Sequence, residues 1–203
     1  ISVSAFLLSR SSDLAIFVHK RSIADRRCSV SLRIIRELGD PVLGKRAKEI
    51  KEMTPRLHQL VKDMLETMYD ASGVGLAAPQ VGMLKRIVVI DISEEQNDPL
   101  VMINPVILES DGEQTGMEGC LSVPGKSGQV TRPQHVVAKY CNEKMEEFTV
   151  EAEDLLARAI CHELDHLDGR MYVDLVEGRL YDNEELEAME AEEADRAAKE
   201  DGE

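Results

Sequence analysis

His162-Glu163-Leu164-Asp165-His166 constrains this chain more than any other stretch. It lies in a run from Asp154 to Gly169 whose apolar residues recur at helical spacing. Two histidines at i and i+4 on a helix stand one turn apart on the same face, so both imidazoles can reach one metal ion, with a glutamate beside them to move a proton. Leu156, Ile160, Leu164 and Leu167 form a core face, whereas Leu155, Ala159, His162 and His166 form the neighbouring face that would carry the metal. Asp154 is expected as the N-cap and Gly169 as the C-terminal stop. Cys161 points about 100° away from His162, so it reads as a small buried apolar residue and not as a ligand.

The bulk of the chain is that of one globular domain. Its 203 residues suffice for one well-buried core and are short for two. No uninterrupted apolar run approaches the length needed to span a membrane. With no Trp, aliphatic side chains and nine Met must fill the core. A net charge of -15 argues against nucleic acid or an anionic membrane as a major partner, because phosphate binding needs a basic face. Cys28, Cys120, Cys141 and Cys161 make neither a disulfide framework nor a Cys-x-x-Cys pair, which points to a reducing compartment.

Three regions follow from composition. Residues 1–31 carry Arg10, Lys20, Arg21, Arg26 and Arg27 against Asp13 and Asp25, with many serines. They read as an extension: an organellar transit segment, or, since the chain opens on Ile, a fragment or a misplaced start. Residues 32–182 read as the catalytic domain. Beyond Asp182 ten carboxylates face only Arg196 and Lys199, so residues 183–203 read as an acidic tail, a frayed helix or disordered.

Within the domain, Gly39-Asp40-Pro41 signals a turn, and Thr54-Pro55 an N-cap with proline at the first helical position. Leu57, Leu60, Val61, Met64, Leu65 and Met68 then form one helical stripe. Gly73 to Gln80 leaves the backbone bare enough to approach a ligand, or else is a tight turn. Ile87 to Ile92, Leu100 to Ile103 and Val106 to Leu108 read as strands, and Val136 to Cys141 with Glu147 to Val150 as a hairpin. The expected class is α+β: antiparallel β-sheets packed around a central metal-binding helix, with an N-terminal amphipathic helix.

Two histidines leave a hydrolytic site one protein ligand short. In metzincin-type proteases a third histidine follows, but that position here is Tyr172; a downstream glutamate ligand of another endopeptidase class stays open. Upstream, Glu118-Gly119-Cys120-Leu121-Ser122 supplies a cysteine, and a thiolate with two imidazoles suits a divalent transition metal. A metal-stabilised binding module without activity is a third reading, which needs neither Glu163 nor Gln80.

Taken together, Gly73 to Gln80, Glu118 to Ser122 and His162 to His166 resemble, in order, the three motifs of the peptide deformylases, and the likeness runs from about Leu32 to Val176. Cys161 departs from the glutamine usual before the first histidine. The resemblance implies that Cys120, His162 and His166 hold the metal, Fe²⁺ in the usual native form, with Zn²⁺ or another divalent transition metal able to substitute. It implies Glu163 as general base and then acid, and Gln80 with the Leu121 backbone N–H as holders of the oxyanion. Gly75 would meet the substrate through its backbone. The substrate would be the N-formyl-methionyl end of a nascent polypeptide, in the cytoplasm or, if residues 1–31 are a transit segment, an organelle. An apolar pocket is needed for methionine, for which Val74 and the helix around Ala159 are candidates; Arg158 is rim or solvent-facing, and Asp165 either supports the histidines or is solvated. The acidic tail has the wrong sign to dock on ribosomal RNA, although transient proximity to the ribosome fits.

Overall fold

The computed structural model describes residues 31–189 and 191. Helix α1, Pro55–Asp70, starts where Thr54 accepts a hydrogen bond from the Leu57 N–H through its side chain, with Pro55 in the first turn. Strands β1 (Gly75–Ala77), β2 (Ile87–Ile90), β3 (Leu100–Asp111), β6 (His135–Cys141) and β7 (Glu147–Glu153) form one antiparallel sheet in the order β1-β2-β3-β6-β7. Strands β4 (Gln114–Cys120), β5 (Val123–Arg132) and β8 (Leu180–Asp182) form a second, β4-β5-β8. Helix α2, Asp154–Leu167, carries the two histidines between them.

The period of two along a strand distributes the core. On β2, Val88 and Ile90 pack in the cluster that surrounds α2, while Ile87 and Val89 pack in the cluster that surrounds α1; Ala77 and Leu76, and Met102 and Ile103, divide in the same way. β1, β2 and the first four residues of β3 are therefore apolar on both faces because a helix covers each, whereas the rest of β3 runs out to the surface. A smaller third cluster, with Leu43, Cys120, Val123, Val130, Met171 and Tyr172, lies against the three-stranded sheet.

Several sequence expectations shift. The two apolar runs at Leu100 to Ile103 and Val106 to Leu108 belong to one strand, β3, with an irregularity between Ile103 and Val106. There Asn104 adopts φ +51° and clasps the Ile50 backbone through its amide, and Pro105 has no N–H to donate. Helix α2 begins at Asp154 itself, after Glu153 as N-cap. Asp154 takes φ +50°, its N–H donating to the Gln134 carbonyl and its carbonyl accepting from Gln114. The helix is also not divided into an anchoring and a working face: every residue from Ala157 to Leu167 is buried, Arg158 and Asp165 included.

Residues 32–38 leave Leu32, Ile34 and Leu38 exposed. The segment works through its backbone: the Arg36 N–H donates to the Gln80 carbonyl at 2.7 Å and the Leu38 N–H to the Ser122 carbonyl at 2.8 Å. Residues 183–189 are helical, and the readings made for residues 1–31, apart from Ser31, and for most of the acidic tail lie outside the described residues. No helix among the described residues is long and apolar enough to cross a membrane.

Gly169 ends α2 in the left-handed region at φ +76°, and an added Cβ would lie 2.8 Å from the Gly44 carbonyl carbon. Gly169→Ala is expected to lower stability by about 1–3 kcal/mol, combining the backbone penalty with a clash against main chain. A urea titration checks this; a midpoint equal to wild type would show that the Gly44 segment yields freely.

Candidate metal centre

The hairpin between β4 and β5 places Cys120 opposite Val123, so Leu121 and Ser122 form its tip. A 3-10 turn, Ala78–Val81, follows β1 and holds Gln80. Helix α2 brings His162, Glu163 and His166 to meet them. The ligand atoms of Cys120, His162 and His166 all lie within 4.8 Å of one another, and the Cys120 Sγ is 3.2 Å from the His166 Nε2. All three side chains are buried.

Hydrogen bonds fix which atoms face inward. His162 Nδ1 is 3.0 Å from the Glu118 carboxylate, which leaves Nε2 to point at the cysteine and His166. Gln80 accepts the Ala77 N–H at its Oε1, so its Nε2 is turned to donate to the Ser122 Oγ at 3.1 Å and the Cys120 Sγ at 3.5 Å. The Ser122 N–H also donates to that sulfur, at 3.4 Å. A sulfur and two imidazole nitrogens converging in a buried space, with both Glu163 oxygens beside them lacking any partner among the described residues, fit a divalent transition metal and a reacting water.

Behind the histidine stands a charge network that sequence reading missed. Glu118 is fully buried and takes two hydrogen bonds from Arg132, at 2.9 and 3.0 Å, and one from Arg158 at 2.8 Å. Arg132 also donates to Asp165 at 2.5 Å. Arg158, expected at a rim or in solvent, instead donates to the Val130 and Gln114 carbonyls besides Glu118. Asp165 supports Arg132 from behind and is not solvated. One signal for Glu118 was present: it precedes Cys120 by two, so a strand puts both side chains on one face. No such spacing marks Arg132.

The electrostatics follow from burial and from these partners. Burial pushes the Glu118 carboxyl up, but His162 and Arg132 outweigh it and hold the group at about 2. Burial pushes His162 down, yet Cys120 and Glu118 hold it well above its ordinary value; burial and the neighbouring His162 charge push His166 well below. Glu163 is pushed up to about 7, mainly by burial, with His162 acting the other way. That is where a group exchanging protons at neutral pH is useful. Cys161 is buried, with its thiol pushed up to about 11 by burial, which agrees with its reading as an inert apolar residue. Tyr172 stacks on the His162 ring at a centroid distance of 6.0 Å and donates to the Lys126 carbonyl.

Gly75 has a purpose that the sequence did not disclose. A Cβ there would lie 2.9 Å from the Glu163 Cδ, so only glycine lets the β1 main chain lie against this carboxylate. Val74 is half-buried and packs against the α2 cluster.

An α+β fold that closes a cysteine and two histidines around a glutamate unpartnered among the described residues has the donor set of a metal-dependent enzyme. The family model for polypeptide deformylase matches residues 32–180. The peptide deformylase of Agathobacter rectalis is 66% identical over 153 residues, covering 75% of this chain and 95% of that one; that of Lachnoclostridium phytofermentans is 59% identical over 160 residues, covering 76% and 98%. Among solved structures, peptide deformylase from Thermotoga maritima superposes with a TM-score of 0.70 at 41% identity, covering 73% of this chain and 99% of that one. The Synechococcus elongatus enzyme in complex with actinonin gives 0.69 at 41% identity, covering 83% and 89%. The chain belongs to the polypeptide deformylase family. It is thereby an enzyme of the kind that removes the formyl group from N-terminal methionine.

Two outcomes are expected from this geometry. Glu118→Gln keeps the shape but weakens the hold on His162 and leaves two buried arginines short of a counter-charge, so zinc affinity should fall about 10–100-fold in a competition titration with a chelator. The folded Glu163 pKa of about 7 lies above its ordinary 4.5, so the metal-free native state binds more protons between those values and loses stability as pH rises through the window. Glu163→Gln lacks this titration. In chelated protein its stability relative to wild type should rise from pH 4.5 to 7 by up to roughly 3 kcal/mol and then level off, measured by denaturant unfolding at each pH; a pH-independent difference would show that Glu163 does not titrate there.

Proposed function

We propose that Cys120, His162 and His166 hold the catalytic metal, that Glu163 moves the proton, and that Gln80 and the Leu121 backbone N–H stabilise the oxyanion formed at the formyl carbon. The single observation that carries this division of labour is the pair of orphaned Glu163 oxygens, buried beside the ligand set with no structural partner among the described residues. A buried carboxyl left unsatisfied costs stability, and a catalytic task accounts for it.

Cys120, His162 and His166 would hold a metal that, when bound, would supply Lewis-acid chemistry toward water and the formyl carbonyl. Glu163 accepts the proton of the attacking water and afterwards gives it to the departing amine nitrogen, so that formate and a free amino terminus result. Gln80, whose Oε1 is fixed by the Ala77 N–H, has its Nε2 aimed at the sulfur side of the site, and its long 3.5 Å contact to the Cys120 Sγ is the one an oxyanion would replace. Gly75 offers bare backbone to the formyl-methionyl chain beside Glu163, and Val74 contributes apolar wall for the methionine side chain.

The metal in this proposal is Fe²⁺, with Zn²⁺ or another divalent transition ion able to replace it, since one soft thiolate and two imidazoles suit these ions. Residues 32–182 form the catalytic domain, a reading supported by the match over residues 32–180, with 1–31 an extension and 183–203 an acidic tail. Cytoplasmic N-formyl-methionyl nascent peptides are the substrate, met near the ribosome without docking through the tail, whose carboxylates repel RNA.

The test is formate release from formyl-Met-Ala-Ser by the anaerobically iron-loaded protein. Glu163→Gln should retain metal and fold while turnover drops roughly 10²–10⁴-fold. Near wild-type turnover with metal retained would transfer the proton step to another group.

A further inference from the structure

Helix α2 has a second polar side that the metal site does not use. Cys161, Leu164 and Asp165 of α2 and its C-cap Asp168 line a cavity of about 630 Å³ together with Val106 and Ile107 of β3, Thr131 and Arg132 of β5, and Pro133. This size is within the range of small-molecule sites, roughly 300–1,000 Å³. Four arginines converge on it: Arg86 and Arg132 at the floor, with side chains only 10% and 7% exposed, and Arg46 and Arg170 at the mouth, 81% and 61% exposed.

The balance of donors and acceptors decides what such a cavity would take. Asp168 lies between Arg86 at 2.8 Å and Arg46 at 3.3 Å; Asp165 lies between Arg132 at 2.5 Å and Arg170 at 2.8 Å. Each carboxylate is thus engaged by two guanidinium groups, whereas each guanidinium carries more N–H donors than one carboxylate can accept. The remaining acid in the lining, Glu49, is exposed at the edge. Arg132 spends its other nitrogens on Glu118 and Arg86 one of its own on the Pro105 carbonyl, so the spare N–H donors belong to Arg46 and Arg170 at the mouth. Val106, Ile107, Pro133 and Leu164 add apolar wall beside it.

We propose that this cavity is a binding site for a compact organic monoanion, a carboxylate on a short apolar body, held between the arginines behind α2 and coupled to the metal site. The carboxylate sits between Arg46 and Arg170 at the mouth, with the apolar body against β3 and Leu164. The coupling runs through Arg132, which donates to Asp165 in the cavity wall and, with its other nitrogens, to Glu118, the partner of His162 Nδ1. A ligand that competes with Asp165 for Arg170 shifts Asp165 toward Arg132, alters the field at Glu118 and so the hold of His162 on a bound metal.

Benzoate is the probe. Added to the zinc-loaded full chain, it should give saturable NMR shifts of the Arg46, Arg86 and Arg170 side-chain Nε–H signals, and benzamide, the neutral isostere, should give none. The double variant Arg46→Gln, Arg170→Gln, changed only at exposed positions, should bind benzoate at least tenfold more weakly with its thermal midpoint near wild type. Zinc release to a chelator should change at least twofold at saturating benzoate in the wild type and not in the variant. Equal shifts with benzamide, affinity unchanged in the double variant, or inorganic phosphate binding as tightly as benzoate would overturn the site as described. Saturation without any change in zinc release would overturn its coupling to the metal centre.

Discussion

A carboxylate with no access to water, that of Glu118, sets the terms for the rest of this structure. Removing it from solvent costs several kcal/mol unless nearly all its acceptor capacity is filled, and the protein fills it with Arg132, Arg158 and His162. Those three partners come from β5 and α2, while Glu118 is on β4. One buried anion therefore fastens the three-stranded sheet to the central helix, where the apolar cluster is small, and in the same act fixes which nitrogen of His162 faces the candidate metal site. Fold and function share a single electrostatic joint.

That joint explains why α2 is buried on every side although it is not apolar on every side. A helix polar around part of its circumference normally shows that part to water. Here Arg158 and Asp165 face the interior because each finds a charged or carbonyl partner there, so the cost of burial is met locally. His162 and His166 gain a rigid platform in return, because a helix packed on all sides cannot rotate about its axis without breaking ion pairs.

What could be read from the sequence followed from periodicity and from chemistry carried by single residues. Helix α1 was legible because its stripe, its threonine cap and its proline agree, and α2 because the histidine pair sits inside a helical pattern. The β6–β7 hairpin was legible because its strands are apolar and β-branched around a polar turn. Strands β4 and β5 were not: Gly116, Gly119, Pro124, Gly125 and Gly128 dilute any alternation, and the pairing of the two strands with each other and with β8 supplies what propensity does not. His162 and His166 stood out by spacing and Cys120 only through the three-motif resemblance, and the structure brings these three candidate ligands together. The partners behind them did not, since Arg132 and Arg158 reach Glu118 from 14 and 40 residues away and nothing local marks an arginine as buried.

The backbone of residues 36–38 is bonded to the turn that carries Gln80 and to the hairpin tip beside Cys120, while the histidines come from α2 more than 120 residues further on. The pocket is thus closed by contacts of long sequence separation at both ends, the kind that form late because chain entropy must be lost before they are rewarded. A chain still emerging during its own synthesis can complete α1 and begin the larger sheet, but it has no ligand set until α2 is made and no closed site until α2 finds the strands that preceded it. The candidate ligand set is therefore complete only once α2, the last large element among the described residues, has been made, and metal uptake at it would report on the finished fold.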